Sequence, residues 1–333
     1  MKVDAVITWV DGRDPKHSAK RRFWLNKEKS PLHENATDEK RWEHCDELSH
    51  CIKSIETHAP WFRKIWVVTD DQTPKLFRLK REFRKKVHIV DHSHIFRGHE
   101  DVLPCFNSIS IETMLFRIEG LADNFVYFND DVFLVGPVKK SHFFIDGKPI
   151  LRGQWVDFSD TDADRLHRFN KINAAQLQGF GADHFFASAH TAFPMKRTVL
   201  EELFYRNKDL FFHNASFRFR SHDQFLTQNF HNLYLIKNNN CFFSNKKDYI
   251  HIKKDNISLL GRELTWQKLQ RLKLKKIRIA CVNDFEAIRD EFPAFVALIQ
   301  EVTGYETAIK FYLSETRAII RQVVKRLGWA RGR

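Results

Sequence analysis

A chain of 333 residues that is 43% hydrophobic and 14% aromatic carries enough apolar side chain to bury a large core. That excludes a disordered or fibrous protein and allows one large domain or two small ones. The 55 Lys and Arg outnumber the 42 Asp and Glu to give a formal charge of +13, an excess that attracts phosphate-bearing substrates, anionic lipid or nucleic acid.

No run of about 18 uncharged apolar residues occurs, so no membrane-spanning segment is expected. Asp4 and Asp11 bracket too short an apolar stretch for a secretory leader. The five cysteines (Cys45, Cys51, Cys105, Cys241 and Cys281) are odd in number and widely spread, with no Cys-x-x-Cys pair. They read as reduced thiols of a cytoplasmic protein, where the sequons at Asn35, Asn214 and Asn256 carry no meaning.

Strands are predicted at 3–10, 64–70, 87–91 and 124–129, where short runs rich in Val and Ile end in acidic or turn residues. Between them, Asp46 is placed as the cap of a helix with Leu48, Ile52 and Ile55 on one face. Asn107 or Ser108 caps another that carries Ile111, Met114, Leu115 and Ile118. This alternation predicts an α/β fold, a mostly parallel sheet with helices on both faces. In such sheets ligands bind at the carboxyl ends of the strands. Those ends are Trp9-Val10-Asp11-Gly12, Thr69-Asp70-Asp71, Asp91-His92-Ser93 and Asn129-Asp130-Asp131, all of them presenting carboxylates to one rim. Residues 138–245, rich in Phe and His with weaker periodicity, are expected as helices and loops packed over that rim. Over 301–333, Ile309, Tyr312, Leu313, Ile320, Val323, Val324 and Leu327 follow helical spacing while Arg317, Arg321 and Lys325 line another face. This predicts a basic amphipathic helix. Such a helix is ordinarily solvated; against an anionic bilayer each Lys or Arg contributes about 1 kcal/mol, which would give peripheral attachment.

Paired carboxylates at a strand end are what a Mg2+ or Mn2+ bridging a diphosphate needs: hard oxygen ligands with positions left for phosphate. Asp130 and Asp131, with Asp11 and Asp70 on the same rim, meet that need better than a solvated turn would explain them. Asp160-x-Asp162-x-Asp164 is not a calcium loop, because Arg165 stands at the sixth position and Lys171 at the twelfth. Gly179-Phe-Gly181 lacks a third glycine and a preceding strand, and no P-loop pattern exists, which removes support for hydride transfer and nucleotide-triphosphate hydrolysis. His92-x-His94 has no third ligand at a matching spacing. Arg218-Phe-Arg220-Ser-His-Asp223 supplies guanidinium forks suited to phosphate oxygens, or else a surface Arg–Asp pair.

These residues resemble the Stealth proteins, a family of bacterial capsular polysaccharide phosphotransferases and lysosomal-enzyme N-acetylglucosamine-1-phosphotransferases. Val3-Asp-Ala-Val-Ile-Thr-Trp-Val-Asp-Gly12 resembles the first conserved region. The second is the most specific and runs from Cys45-Asp-Glu-Leu48 through Ala59-Pro-Trp61, Arg63-Lys-Ile-Trp-Val-Val-Thr-Asp70 and Phe106-Asn-Ser108 to Tyr127-Phe-Asn-Asp-Asp131. His190-Thr191 with Phe219-Arg-Ser-His-Asp223 is similar to the third, and Cys281-Val-Asn-Asp284 to the fourth. Lys53 stands where the family has Arg, and Lys75-Leu76 where it has a tryptophan-containing segment; both departures spare the acidic rim.

The resemblance implies a Rossmann-like, glycosyltransferase-type catalytic domain over 1–300. In it, 1–137 binds the nucleotide sugar and 138–300 contacts acceptor and phosphate. The implied activity is transfer of a hexose-1-phosphate from a nucleotide-diphosphate sugar to a hydroxyl of a glycan or glycolipid in capsule or other surface-polysaccharide synthesis, in the cytoplasm or at the inner face of its membrane. Asp130, Asp131 and Asp284 would hold the metal, and Trp9, Asp11, Gly12, Asp70, Asn107, Asn129 and Asn283 would line the nucleotide-sugar site. Arg220 would clamp phosphate, His190 or Asp223 would act as general base, and Asp46 is a further catalytic candidate. The alternative is an ordinary glycosyltransferase that releases nucleoside diphosphate. Nucleic acid is not expected as a partner, because the basic excess lies mostly in the C-terminal third and no nucleic-acid module is recognisable.

Overall fold

The computed structural model describes residues 1–28, 32–33, 46–76, 78–161, 165–253 and 261–305. From residue 306 onward the expected basic helix lies outside the described residues, as do Asp162 and Asp164.

The N-terminal half builds the sheet that the sequence predicts. Strand β1 (Val3–Thr8) is followed by helices α1 (Pro15–Lys27) and α2 (Glu47–His58), then by β2 (Ile65–Thr69), β3 (Val87–Asp91), helix α3 (Ser108–Met114) and β4 (Asn124–Asn129). β1 pairs in parallel with both β2 and β4, and β2 with β3, which gives the Rossmann-like order β3-β2-β1-β4. Period-two alternation divides the strands between two cores. Ala5, Ile7, Ile65, Val67, Val126 and Phe128 join one face, which α2 covers. Val6, Trp66, Val68, Phe125 and Tyr127 join the other, which α3 covers.

At the opposite, amino-terminal end of the strands a carboxylate is fully buried. Asp4 accepts from Arg63 Nε at 2.8 Å and Nη2 at 2.5 Å, from Trp66 Nε1 at 2.9 Å and from the Ala122 amide at 2.9 Å. That many donors meet the cost of burying the charge.

Beyond β4 the structure departs from the expectation of helices and loops. Residues 132–282 contain β5 (Val132–Leu134), β6 (Phe144–Ile145), β7 (Lys148–Leu151), β8 (Gly153–Val156), helix α4 (Leu166–Leu177), β9 (Phe185–Ser188), β10 (Phe193–Lys196), helices α5 (Arg197–Arg206), α6 (Lys208–Ala215) and α7 (Thr227–Lys237), β11 (Phe242–Phe243), β12 (Tyr249–Ile252), helix α8 (Gly261–Gln270) and β13 (Ile279–Val282). These strands have two to four residues each, too short to show alternation. β10 closes one edge of the main sheet by pairing antiparallel with β4. β5, which leaves the turn after β4, pairs antiparallel with β13, and β13 pairs in parallel with β12. β8 and β9 form an antiparallel ribbon. Helices α9 (Phe285–Glu291) and α10 (Ala294–Thr303) complete the core beside α2.

Candidate active site

The carboxyl ends of the parallel strands form one rim, and its parts have different jobs. Asp70, at the end of β2, is paired with α1: its Oδ2 lies 3.1 Å from His17 Nδ1 and 3.2 Å from Lys20 Nζ. Burial alone would raise this carboxyl. The His17 hydrogen bond, the neighbouring His92 ring and the Lys20 ammonium outweigh that and hold it at about 2. α1 is thereby tied across the rim, and its far end carries the Arg218 guanidinium 3.8 Å over the Trp24 ring. Asp11 turns the chain after β1, accepting from the Arg13 amide at 3.0 Å. Trp9 and Gly12 flank that turn, both buried.

Asn107 caps α3 as expected, with its Oδ1 accepting from the Ile109 amide at 3.1 Å. Its Nδ2 donates to the Phe217 carbonyl at 3.0 Å and to Gln224 Oε1 at 2.8 Å. The side chain is fully buried and spent on pinning the 217–224 loop, so it serves the site indirectly. Arg220 on that loop donates from Nη2 to Ser108 Oγ at 2.8 Å. Its guanidinium lies within electrostatic reach of Glu112, Tyr127 and Asp131, while desolvation presses its pKa down. Buried Glu112 accepts from Tyr127 Oη and from Gln228 Nε2, each at 2.7 Å. Tyr127 Oη in turn meets Thr8 Oγ1 at 2.8 Å and accepts from Asn129 Nδ2 at 3.1 Å. Asn129 is thus fixed from below.

Asp130 and Asp131 occupy the turn between β4 and β5, where one sheet passes into the other. Desolvation raises the pKa of both, and for Asp130 the adjacent Asp131 charge adds to it. Asp131 Oδ2 accepts from Asn283 Nδ2 at 2.5 Å, and Asn283 Oδ1 meets His251 Nε2 at 2.5 Å. Asp131 Oδ1 is buried and makes no hydrogen bond. Two carboxylates that resist ionising side by side, one with a buried oxygen left over, fit a divalent cation. Asp284 sits next to Asn283, exposed, in the left-handed region at φ 58° at the head of α9.

Facing the acidic turn is a cationic wall. His190 lies two residues beyond β9, its ring 5.1 Å from that of His251. Burial, and then the charges of Lys171, Lys253 and Arg220, lower it to about 4, so at neutral pH it carries a free lone pair. Lys171 donates from Nζ to the Ser188 carbonyl at 2.9 Å, and burial first, then Lys253 and Arg168, brings it to about 8.

Two expected residues stand elsewhere. Asp223 is exposed in the 221–223 turn, where its Oδ2 accepts from Ser221 Oγ at 3.3 Å. Asp46 starts α2, yet its side chain makes no capping bond: a left-handed backbone at φ 58° turns it away from the first-turn amides, which corrects the expected cap. No sequence motif marks His251, Cys281, Lys171 or Lys253 as a site residue. The four residues Tyr249-Ile-His-Ile252 are too few to mark a strand, and nothing in the sequence pairs them with residue 131.

The family model described as Stealth protein conserved region 1 matches residues 1–29, and that of conserved region 2 matches residues 41–150. An exopolysaccharide phosphotransferase of Streptomyces coelicolor is 38% identical over 60% of this chain and 22% of its own length. A second from the same organism is 30% identical over 89% of this chain and 49% of its own length. The chain therefore spans about half or less of the length of these relatives. Among solved structures, the galactosyltransferase LgtC in complex with donor and acceptor sugar analogs aligns over 92% of this chain and 96% of that one, at 12% identity and a TM-score of 0.44.

Proposed function

Because this chain belongs to the Stealth family, we propose that it transfers a hexose-1-phosphate from a nucleotide-diphosphate sugar to a carbohydrate hydroxyl during surface-polysaccharide synthesis. The observation that carries this reading is the opposition of the Asp130–Asp131 turn, with its unpartnered buried oxygen, to the wall of Arg220, His190 and Lys171. One side suits the cation of a bound diphosphate and the other its anionic oxygens.

The acceptor oxygen attacks the phosphorus that bears the sugar. A new O–P bond forms, the P–O bond to the nucleoside monophosphate breaks, and the sugar–phosphate bond is kept. His190 takes the hydroxyl proton on its free lone pair. Its low basicity is set by burial and by cations that the incoming phosphates neutralise, so donor binding raises its proton affinity as the acceptor arrives. Arg220, held by Ser108, binds phosphoryl oxygens on which charge develops. Asp130 and Asp131, with Asp284 as a further ligand, would hold a Mg2+ or Mn2+, which when bound neutralises diphosphate charge. Trp9, Asp11 and Gly12 border the nucleotide, and Asn283 reaches it through Asp131.

Among the described residues no helix is long and apolar enough to cross a membrane. We place the reaction in the cytoplasm, with the basic segment beyond residue 306 as its contact to an anionic bilayer.

The test is the nucleotide released when purified protein, Mg2+, UDP-, GDP- and CMP-linked sugars and mixed glycan acceptors are incubated. A nucleoside monophosphate from a diphosphate sugar, with the 31P signal of a phosphodiester in the product, is expected. Nucleoside diphosphate would mean attack at the anomeric carbon, and the activity would be ordinary glycosyl transfer.

A further inference from the structure

Cys281 is fully buried on β13, yet its surroundings are polar: burial, and then the neighbouring Asp131 carboxylate, push its thiol pKa well up. The ligand atoms of His190, His251 and Cys281 all lie within 4.8 Å of one another. His251 Nε2–H donates to Asn283 Oδ1, which can only accept, and this leaves the Nδ1 lone pair available, the arrangement found behind metal-bound imidazoles. A pair of imidazoles and a thiol suit Zn2+ and its relatives and do not suit Mg2+, which takes oxygen. The nearby carboxylates of Asp130 and Asp131 favour any cation.

We infer that His190, His251 and Cys281 form a second metal site, for a thiophilic divalent ion of the Zn2+ class, sharing a wall with the hard-ion rim. Binding releases the Cys281 proton to solvent and forms one sulfur–metal and two nitrogen–metal bonds. The ion takes the His190 lone pair. Occupancy therefore switches off transfer, a consequence that rests on the phosphotransferase reading, whereas binding itself does not.

The test uses Co2+ as a coloured probe on the full chain in metal-free buffer. One equivalent is expected to produce a thiolate-to-cobalt charge-transfer band in the near ultraviolet and ligand-field bands in the visible. Both should be bleached by Zn2+ and indifferent to millimolar Mg2+. Cys281→Ser should abolish the charge-transfer band. His251→Gln, which leaves the thiol in place should the serine variant fail to fold, should weaken Co2+ binding by about tenfold or more. Absence of the charge-transfer band from the wild type, its survival in Cys281→Ser, or its displacement by Mg2+ would overturn the site. None of these readouts involves turnover, so they stand or fall apart from the released-nucleotide result.

Discussion

The acidic rim and the cationic wall meet at one site but are built in opposite ways. The rim is local: each carboxylate lies within three residues of the end of its own strand, and the parallel order β3-β2-β1-β4 brings the strand ends together. The wall is long-range: Arg220 comes from a loop pinned to Asn107, His190 from the end of the β8–β9 ribbon, and His251 and Cys281 from β12 and β13. What joins the two is the Asn283–Asp131 hydrogen bond, 152 residues apart in the chain. Chemistry that needs rigid metal ligands is supplied by the sheet, and chemistry that discriminates substrates is supplied by the parts added to it.

Substitutions on the two sides should separate these origins. The largest effect is expected for Asp131→Asn and His190→Ala, each lowering turnover about 100-fold or more, or about 2.7 kcal/mol. The folded protein should survive, and Asp131→Asn should leave the thermal midpoint equal or higher, since it removes one of two mutually repelling buried carboxylates. A variant that keeps more than about a tenth of wild-type turnover would remove its residue from the catalytic set.

Next in size is Asp70→Asn, a change on the rim but outside the chemistry. A carboxyl held at about 2 in the fold, against about 3.9 when unfolded, stabilises by about 2 kcal/mol at neutral pH. Because the folded value is the lower one, the contribution is full above the unfolded value and is lost as pH falls through the folded one. Urea midpoints of wild type and variant should therefore differ by a constant amount from pH 7 to 5 and converge below about pH 4; a gap that widens on acidification would exclude this pairing.

The smallest effect is expected where the halves join. Asn283→Ala should cost about tenfold in turnover by leaving Asp131 unsupported, the size usual for residues that orient a metal ligand. The loss should appear in the Mg2+ concentration needed for half-maximal rate. An unchanged Mg2+ requirement would show that Asn283 acts on the nucleotide directly.

The same division explains what could be seen in the sequence. The four long strands, the rim they share and the Asn107 cap were legible because apolar alternation and capping act over a few residues. The strands between 144 and 243 were not, since two to four residues carry no periodicity and apolar side chains such as Trp155, Phe242 and Phe243 stand exposed. Asp46 was misjudged as a cap because its left-handed backbone is set by tertiary context. His251 and Cys281 each look like ordinary core residues until β5 pairs with β13 and brings Asp131 beside them.

The distance along the chain between Asp131 and Asn283 also fixes a timetable. On the ribosome the parallel sheet can collapse while the strands that orient Asp131 have yet to be made. Until β12 and β13 emerge, the nascent chain offers a carboxylate turn without the His251–Asn283 pair that orients Asp131, a half-site that can attract a cation but not carry out transfer. Competence arrives late in synthesis and all at once, when two short strands dock.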